Sequence, residues 1–178
     1  MIITIDGLDN SGKSTIGALV SEITGLSYTK VKKGSFLDFS RCSSEYKITN
    51  RIIQEIDLSV NDLSDIVLDR SYLSAAITGK IYDPNLDLKE LLSTVPERLK
   101  KPTLGLVVTV SHHVALSRKR KSLTYQDMII LGSDYDHYQD MLRTLGQENG
   151  CIIYDNSSPR SIKELKYSLE NLLVRHGF

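Results

Sequence analysis

The chain has no tryptophan, four prolines and two cysteines among its 178 residues. Cys42 and Cys151 lie far apart and lack the paired spacing of a zinc or iron–sulfur site, so we expect two reduced thiols. No apolar run approaches the roughly 20 residues that span a bilayer. The opening MIITI leads directly into a glycine-rich loop and lacks the features of a secretion signal. These absences predict a cytoplasmic protein without a membrane partner.

Excess charge of either sign is also absent, because Lys plus Arg and Asp plus Glu each total 22. Domains that coat nucleic acid are usually strongly basic, so we expect no stable nucleic-acid binding. The hydrophobic fraction of 40% is typical of globular proteins. The length fits a single domain that covers residues 1–178.

Short β-branched runs alternate with helical patterns, which is typical of βαβ units around a parallel sheet. We therefore predict an α/β fold with a five-stranded parallel sheet flanked by helices. Helices that cover both faces of the sheet favour continuously apolar strands. The predicted strands are Ile2–Ile5, Ser27–Val31, Asp65–Leu68, Leu104–Val110 and Cys151–Tyr154.

Helical periodicity is clearest in three segments. Apolar residues recur from Ile48 to Val60, from Tyr135 to Leu145 and from Ile162 to Leu173. The last segment opens with a capping box, in which Ser161 is followed three residues later by Glu164. Residues 118–127 are polar and basic without periodicity, which predicts a mobile loop.

A complete Walker A motif begins at Gly7 and ends at Ser14, with the pattern GxxxxGKS. Its glycines allow backbone N–H groups to converge on phosphate oxygens, and the following helix adds its dipole. Lys13 supplies a point charge for the β- and γ-phosphates, and Ser14 a hydroxyl for Mg²⁺. The motif follows a strand and precedes a helix, so we predict a P-loop NTPase-type three-layer sandwich. The predicted ATP-phosphate ligands are Gly7, Asn10, Ser11, Gly12, Lys13, Ser14 and Thr15.

Asp69 and Arg70 follow a buried strand, at the sheet edge where ligands sit in parallel α/β folds. The acid is placed to orient Mg²⁺ together with Ser14, and the arginine to bind a second phosphate. A surface turn with a salt bridge is the structural alternative. The chain has no NKxD tetrad for guanine and is short for a motor ATPase, so a small-molecule kinase is the natural class.

Four segments of the chain, in order, resemble the thymidylate kinases within the thymidylate kinase/deoxynucleoside kinase superfamily. The resemblance covers the chain from end to end and is weakest between residues 28 and 45. The segments are GLDNSGKST, LDRSYLSAAITG, KPTLGLVVTVSHHVALSRKRK and YDNSSPRSIKELKYSLENLL.

The resemblance implies roles for residues on the acceptor side. Asp9 is expected to reach the sugar 3′-hydroxyl of the acceptor or its Mg²⁺, and Arg70 the acceptor monophosphate. Asp69 supports metal and phosphate geometry. Arg51 is a candidate donor to a pyrimidine O4, with a solvated helix position as the alternative. Apart from the resemblance, the aromatic residues Phe36, Phe39 and Tyr72 are candidates for stacking on the base, or for the core.

The resemblance also implies a mobile LID near residues 118–127 and an adenine-side loop. Some family members carry a P-loop arginine where this chain has Asn10, which leaves Arg118 or Arg120 to supply catalytic charge. Such a basic run is otherwise a solvated helix end. Asn156, Ser157 and Ser158 are expected to border the adenine, with a plain turn as the alternative.

Two departures from the family pattern concern the acceptor and the LID. Met128 follows Asp127 where the family commonly has arginine, and residues 31–36 replace a glutamate–proline segment. A nucleoside kinase needs a carboxylate base near this point to activate a neutral hydroxyl. The chain has Lys32 and Lys33 there, and Asp38 is the nearest acid. A monophosphate needs only charge neutralisation, so these lysines favour a monophosphate acceptor.

The sequence therefore predicts an ATP- and Mg²⁺-dependent kinase of a deoxynucleoside monophosphate. The favoured acceptor is dTMP, with dUMP or a modified pyrimidine monophosphate also open. A deoxynucleoside kinase and a catalytically silent nucleotide-binding module are the alternatives. Because family members are commonly homodimers, the resemblance also implies a possible homodimer.

Overall fold

A computed structural model describes residues 1–30, 65–118, 132, 134–158 and 160–178 of the chain. The described part contains five strands and seven helices, numbered here in chain order. The strands are β1 (Ile2–Asp6), β2 (Ser27–Lys30), β3 (Ile66–Asp69), β4 (Leu104–Thr109) and β5 (Ile152–Asp155). The helices are α1 (Lys13–Thr24), α2 (Tyr72–Tyr82), α3 (Leu88–Ser93), α4 (Glu97–Lys100), α5 (His112–Ser117), α6 (Tyr135–Glu148) and α7 (Ile162–Arg175).

All five strands form one parallel sheet in the order β2-β3-β1-β4-β5. The central strand β1 pairs with β3 on one side and with β4 on the other. Each predicted strand is present, and the strand ends that fall within the described residues differ from the prediction by one residue at most. The predicted α/β fold class is confirmed.

The apolar core lies in two layers, one on each face of the sheet. On one face Ile5 of β1 packs with Ile16 of α1 and Leu169 of α7. On the other face Leu68 of β3 packs with Leu73 of α2 and Leu142 of α6. Helices on both faces explain why β3 and β4 are buried along their whole length.

The expectation of continuously buried strands is wrong for β2, whose residues Ser27, Tyr28 and Lys30 are exposed. This strand lies at one edge of the sheet, and its sequence SYTK is polar. An edge strand need not be apolar, since charged side chains there also discourage pairing with other chains. The exposed strand places polar side chains beside the end of β3.

The helices begin and end where the local sequence predicts. α7 opens with the predicted capping box, in which the Ser161 hydroxyl accepts a hydrogen bond from the Glu164 N–H and the Glu164 side chain accepts from the Ser161 N–H. α1 ends at Gly25, which has a φ of 73° and terminates the helix in the left-handed conformation. The helix predicted from Ile48 to Val60 and most of the loop predicted at 118–127 lie outside the described residues.

Cys151 is a free thiol, and Cys42 lies outside the described residues. Among the residues that the structure describes, no helix has the length and apolar character needed to cross a membrane.

The contribution of the α1–α7 layer to stability can be measured at Leu169, which is fully buried between the two helices and the sheet. Leu169→Ala should lower the free energy of unfolding by about 2–5 kcal/mol, because it removes buried methyl groups and leaves a cavity. The matched control is Ile162→Ala on the same helix, where the side chain is 59% exposed. Urea unfolding of both variants gives the comparison. Equal losses in the free energy of unfolding would contradict the described packing.

Candidate active site

The Walker A residues form a tight loop between the end of β1 and the start of α1. A Cβ atom at Gly7 would lie 2.8 Å from the Val108 carbonyl oxygen, so only glycine fits there. Asn10 and Gly12 have φ angles of 64° and 91°, which turn the loop back onto the helix. Ser11 is fully buried. The positive end of α1 therefore faces the loop, as anion binding requires.

Lys13 is buried, with its ammonium group held by two neighbours in the loop. Its Nζ donates to the Leu8 carbonyl oxygen at 3.2 Å and to Asp9 Oδ1 at 3.4 Å. Burial and, less strongly, the positive charge of Arg70 lower the pKa of Lys13 to about 8, although Asp9 and Asp69 partly oppose both effects. Lys13 is thus charged at neutral pH, but nearby carboxylates compensate its positive charge only in part. This favours binding of an anion.

Asp9 joins the P-loop to the end of β3. Its Oδ1 accepts from Arg70 Nη2 at 2.5 Å and from Lys13 Nζ. The backbone N–H of Arg70 donates to the Ile5 carbonyl oxygen at 2.9 Å, which fixes the residue against β1. Arg70 has a φ of 81°, a left-handed conformation that is costly for a side chain of this size. Strain of this kind persists where surrounding contacts impose it, as at functional sites.

The contacts that hold Arg70 in this conformation come from Asp6, the last residue of β1. The Asp6 side chain is fully buried. Its Oδ1 accepts from the N–H groups of Ser71 and Ser74 at 2.9 and 3.0 Å, and from the Ser74 hydroxyl at 2.6 Å. Its Oδ2 accepts from the Ser71 hydroxyl at 2.6 Å. The Ser74 hydroxyl in turn accepts from the Gly7 N–H at 3.3 Å. One carboxylate thus fixes the start of α2, the residue after Arg70 and the first glycine of the P-loop.

Asp69 and Ser14, the predicted metal ligands, are in contact. The Ser14 hydroxyl donates to Asp69 Oδ2 at 2.6 Å, and the Tyr28 hydroxyl donates to the same oxygen at 2.7 Å. The Tyr28 pKa is raised by burial and by its hydrogen bond to Asp69, so this phenol stays a donor. Asp69 is fully buried, and no hydrogen-bond donor among the described residues reaches its Oδ1.

This oxygen-rich pair fits a hard divalent cation. Mg²⁺ is usually held by one or two protein oxygens with phosphate and water oxygens completing its octahedron. A buried carboxylate oxygen without a donor beside a serine hydroxyl supplies that minimum. Within the described ranges no group of three metal-ligating side chains occurs, and a P-loop metal does not need one.

Arg118 and Asn156 hold the P-loop from the side of β4 and β5. Arg118 Nη1 donates to the Ser11 carbonyl oxygen at 3.1 Å, and its Nη2 donates to the Asn156 carbonyl oxygen at 2.8 Å. The Asn156 side-chain amide also donates to the Ser11 carbonyl, at 2.8 Å. A Cβ atom at Gly12 would lie 2.5 Å from this amide. Arg118 therefore connects the P-loop to the loop that the sequence assigns to adenine.

The fold brings most of the predicted site residues to one edge of the sheet. Ser157 accepts from the Ser111 N–H at 2.9 Å, beside Asn156, while Ser158 and Thr15 are exposed. The roles of these residues in binding and catalysis stay predictions. Three further predicted site residues, Phe36, Arg51 and Arg120, lie outside the described residues.

Comparison with known proteins shows the fold but no close relative. No protein-family model and no curated protein sequence matches the chain. The structure is similar to a deoxyadenosine kinase from M. mycoides with the products dCMP and dCDP bound, at 20% identity and a TM-score of 0.70, covering 98% of this chain and 99% of that one. It is also similar to thymidylate kinase from Candida albicans, at 20% identity and a TM-score of 0.69, covering 98% and 91%. The chain has a P-loop kinase fold.

The sequence interpretation missed three polar residues of this candidate site: Asp6, Tyr28 and Lys30. Asp6 and Lys30 are the last residues of β1 and β2. The rule that singled out Asp69, a polar residue directly after a buried strand, applies equally to Asp6. The strand β2 is not buried, so no such signal marked Lys30 or Tyr28.

The structural importance of Asp6 can be tested by Asp6→Asn, which keeps the shape but places an amide where four donors converge. The amide nitrogen then takes the place of one oxygen and the charge-assisted hydrogen bonds become neutral ones, so we expect a loss of about 2–4 kcal/mol in the free energy of unfolding. The control is Asp140→Asn on the surface of α6, where the carboxylate is 71% exposed. Chemical denaturation of both variants gives the comparison, and similar small losses would contradict the described network.

The buried charge of Lys13 should make stability depend on pH. Its pKa is lowered from 10.5 to about 8, so between these values the unfolded chain binds more protons than the folded protein. The stability contributed by Lys13 therefore rises with pH across this window, by at most about 1.4 kcal/mol per pH unit.

Lys13→Met isolates this effect. Tyr28, Tyr72, Tyr135 and Cys151 have raised pKa values and give the opposite slope, but both proteins share them. Urea unfolding from pH 8 to 10.5 should give a difference between wild type and variant that increases with pH. A difference that stays constant would show that Lys13 is not desolvated.

Proposed function

We propose that this protein is a kinase that transfers the γ-phosphoryl group of ATP to a deoxynucleoside monophosphate. The observation that carries the proposal is the Asp9 carboxylate between Lys13 and Arg70. The lysine belongs to the loop that holds the donor phosphates, and the arginine lies at the end of the neighbouring strand. Such an arrangement places a positive charge on each side of the position where a phosphoryl group is transferred.

The residues of the chain divide into donor and acceptor groups. The P-loop backbone, Lys13 and the N-terminus of α1 bind the β- and γ-phosphates of ATP. Arg70 binds the phosphate of the acceptor, and Asp9 orients both cations. Ser14 and Asp69 would hold Mg²⁺, which would neutralise charge on the phosphates.

The charges of the site favour an acceptor that is already an anion. Asp6, directly before the P-loop, is fully buried and accepts four hydrogen bonds. Within the described ranges, the other carboxylates beside the P-loop are Asp9, which bonds Lys13 and Arg70, and Asp69, which bonds Ser14 and lies 3.7 Å from Lys30. Both already contact basic side chains. A monophosphate oxygen is itself the nucleophile and needs no base, whereas a neutral 5′-hydroxyl does.

Among monophosphates we favour dTMP, giving dTDP, with dUMP or a modified pyrimidine monophosphate as close alternatives. The support is the resemblance of the four segments to thymidylate kinases, together with the similarity of the fold to a thymidylate kinase. A homodimer and a cytoplasmic location remain predictions of the same resemblance and of the sequence.

A deoxynucleoside kinase is the second candidate. Two observations favour it: the fold is similar to that of a deoxyadenosine kinase, and the sequence has serine directly after Asp69 and Arg70. In this case the base comes from outside the described residues, with Asp38 as the nearest acid in the sequence. The two candidates differ in the atom that becomes phosphorylated.

The test is a panel of nucleosides and nucleoside monophosphates with [γ-³²P]ATP, scored by which acceptor becomes labelled. We expect label on a pyrimidine deoxynucleoside monophosphate, and loss of labelling in Lys13→Ala by a factor of about 10² or more. Label on nucleosides that collapses in Asp38→Asn would instead establish the second candidate. ATP binding without transfer to any acceptor would leave a catalytically silent nucleotide-binding module.

The assignment of Arg70 has its own variant within this panel. Arg70→Met should raise KM for the monophosphate at least about tenfold, because it removes a charge-assisted hydrogen bond, and should change KM for ATP much less. Arg175→Met, at the exposed end of α7, is the matched control. An Arg70 variant with an unchanged acceptor KM would refute the proposed phosphate contact.

A further inference from the structure

Lys30 lies where the P-loop metal is expected. It is the last residue of β2, in register with Asp69 on the neighbouring strand. Its Nζ donates to the Ser14 hydroxyl at 3.0 Å and lies 3.7 Å from Asp69 Oδ2. These are the two side chains that the metal needs, so an ammonium group already contacts both.

An ammonium ion and a divalent cation cannot use these oxygens together. The Ser14 hydroxyl donates its proton to Asp69 and accepts a hydrogen bond from Lys30, so Lys30 occupies one of the two lone pairs of this oxygen. A divalent cation on Ser14 and Asp69 would also lie within a few ångströms of the ammonium charge. Like charges at that distance repel strongly in a partly buried site.

The Lys30 side chain is nevertheless able to move away from Ser14 and Asp69. This side chain is 49% exposed, whereas that of Asp69 is fully buried. Long lysine side chains keep much of their freedom when their end is near solvent. When Lys30 moves away, the hydrogen bonds from Tyr28 and Ser14 still hold Asp69 Oδ2 in place. The carboxylate is therefore kept in position for whichever cation binds.

We propose that Lys30 is an internal countercation that competes with Mg²⁺ for Ser14 and Asp69. It neutralises the buried Asp69 carboxylate when no metal is bound and keeps the affinity of the nucleotide-free protein for divalent cations low. Nucleotide phosphates supply further ligands to the metal, so the metal enters together with the nucleotide and displaces Lys30. The inference rests on the metal pair of the proposed function, but not on the identity of the acceptor.

The test measures Mn²⁺ binding to the nucleotide-free protein from the electron paramagnetic resonance signal of free Mn²⁺. Lys30→Met keeps the length of the side chain and removes its charge. It should bind Mn²⁺ about tenfold or more tightly than the wild type, the factor expected when a charge-assisted hydrogen bond no longer competes. Lys163→Met, on the exposed face of α7, should bind as weakly as the wild type.

The double variant Lys30→Met with Asp69→Asn assigns the site, because the gain in affinity should disappear with the carboxylate. Equal Mn²⁺ affinity in the wild type and Lys30→Met would overturn the proposal. A gain that survives in the double variant would overturn it as well, since the metal would then bind elsewhere.

Two further measurements keep the test decisive. If Lys30→Met does not fold, as judged by circular dichroism, Lys30→Gln replaces it with the same expected gain. Millimolar Mg²⁺ without nucleotide should raise the Tm of the folded Lys30 variant more than that of the wild type, and equal shifts would count against the proposal. No phosphoryl transfer is measured here, so failure of the proposed kinase activity would be seen separately in the acceptor panel.

Discussion

The site depends on one buried carboxylate, that of Asp6. It ends the central strand and receives four hydrogen bonds from Ser71 and Ser74, so it determines where α2 begins. The start of α2 forces the preceding Arg70 into its left-handed conformation beside the P-loop, and the bond from Gly7 to Ser74 fixes the loop itself. A buried charge is tolerated only with such complete compensation. The same compensation makes the site rigid before any ligand arrives.

Beside this anchor, three basic side chains contact two further carboxylates. Lys13, Lys30 and Arg70 share two carboxylates, Asp9 and Asp69, and the positive end of α1 adds to them. The depressed pKa of Lys13 reflects burial first and then the positive charge of Arg70, which Asp9 and Asp69 only partly offset. In the proposed function, bound phosphates would add negative charge beside these cations and so stabilise the site. Part of the free-energy cost of arranging these charged groups for a substrate is thus met when the protein folds.

The arginine at the start of the predicted LID has a second, structural role. Arg118 donates to the carbonyl oxygens of Ser11 and Asn156, so it ties the P-loop to the loop after β5. The basic run that contains Arg118 indicates mobile positive charge. Sequence spacing does not indicate that this arginine contacts carbonyl oxygens of residues far away in the chain. Contacts that join residues 107 and 38 positions apart are decided by tertiary structure.

The sequence by itself determined the five strands, the capped helix α7 and the P-loop, because each follows from local patterns of apolar, β-branched and glycine residues. It also indicated Asp69 and Arg70, since a strand end is a local feature. Only the tertiary structure decided which polar groups meet: that Asp6 anchors α2, and that Lys30 from an exposed edge strand reaches Ser14. Those pairings depend on strand order, and strand order results from packing between segments far apart in the chain.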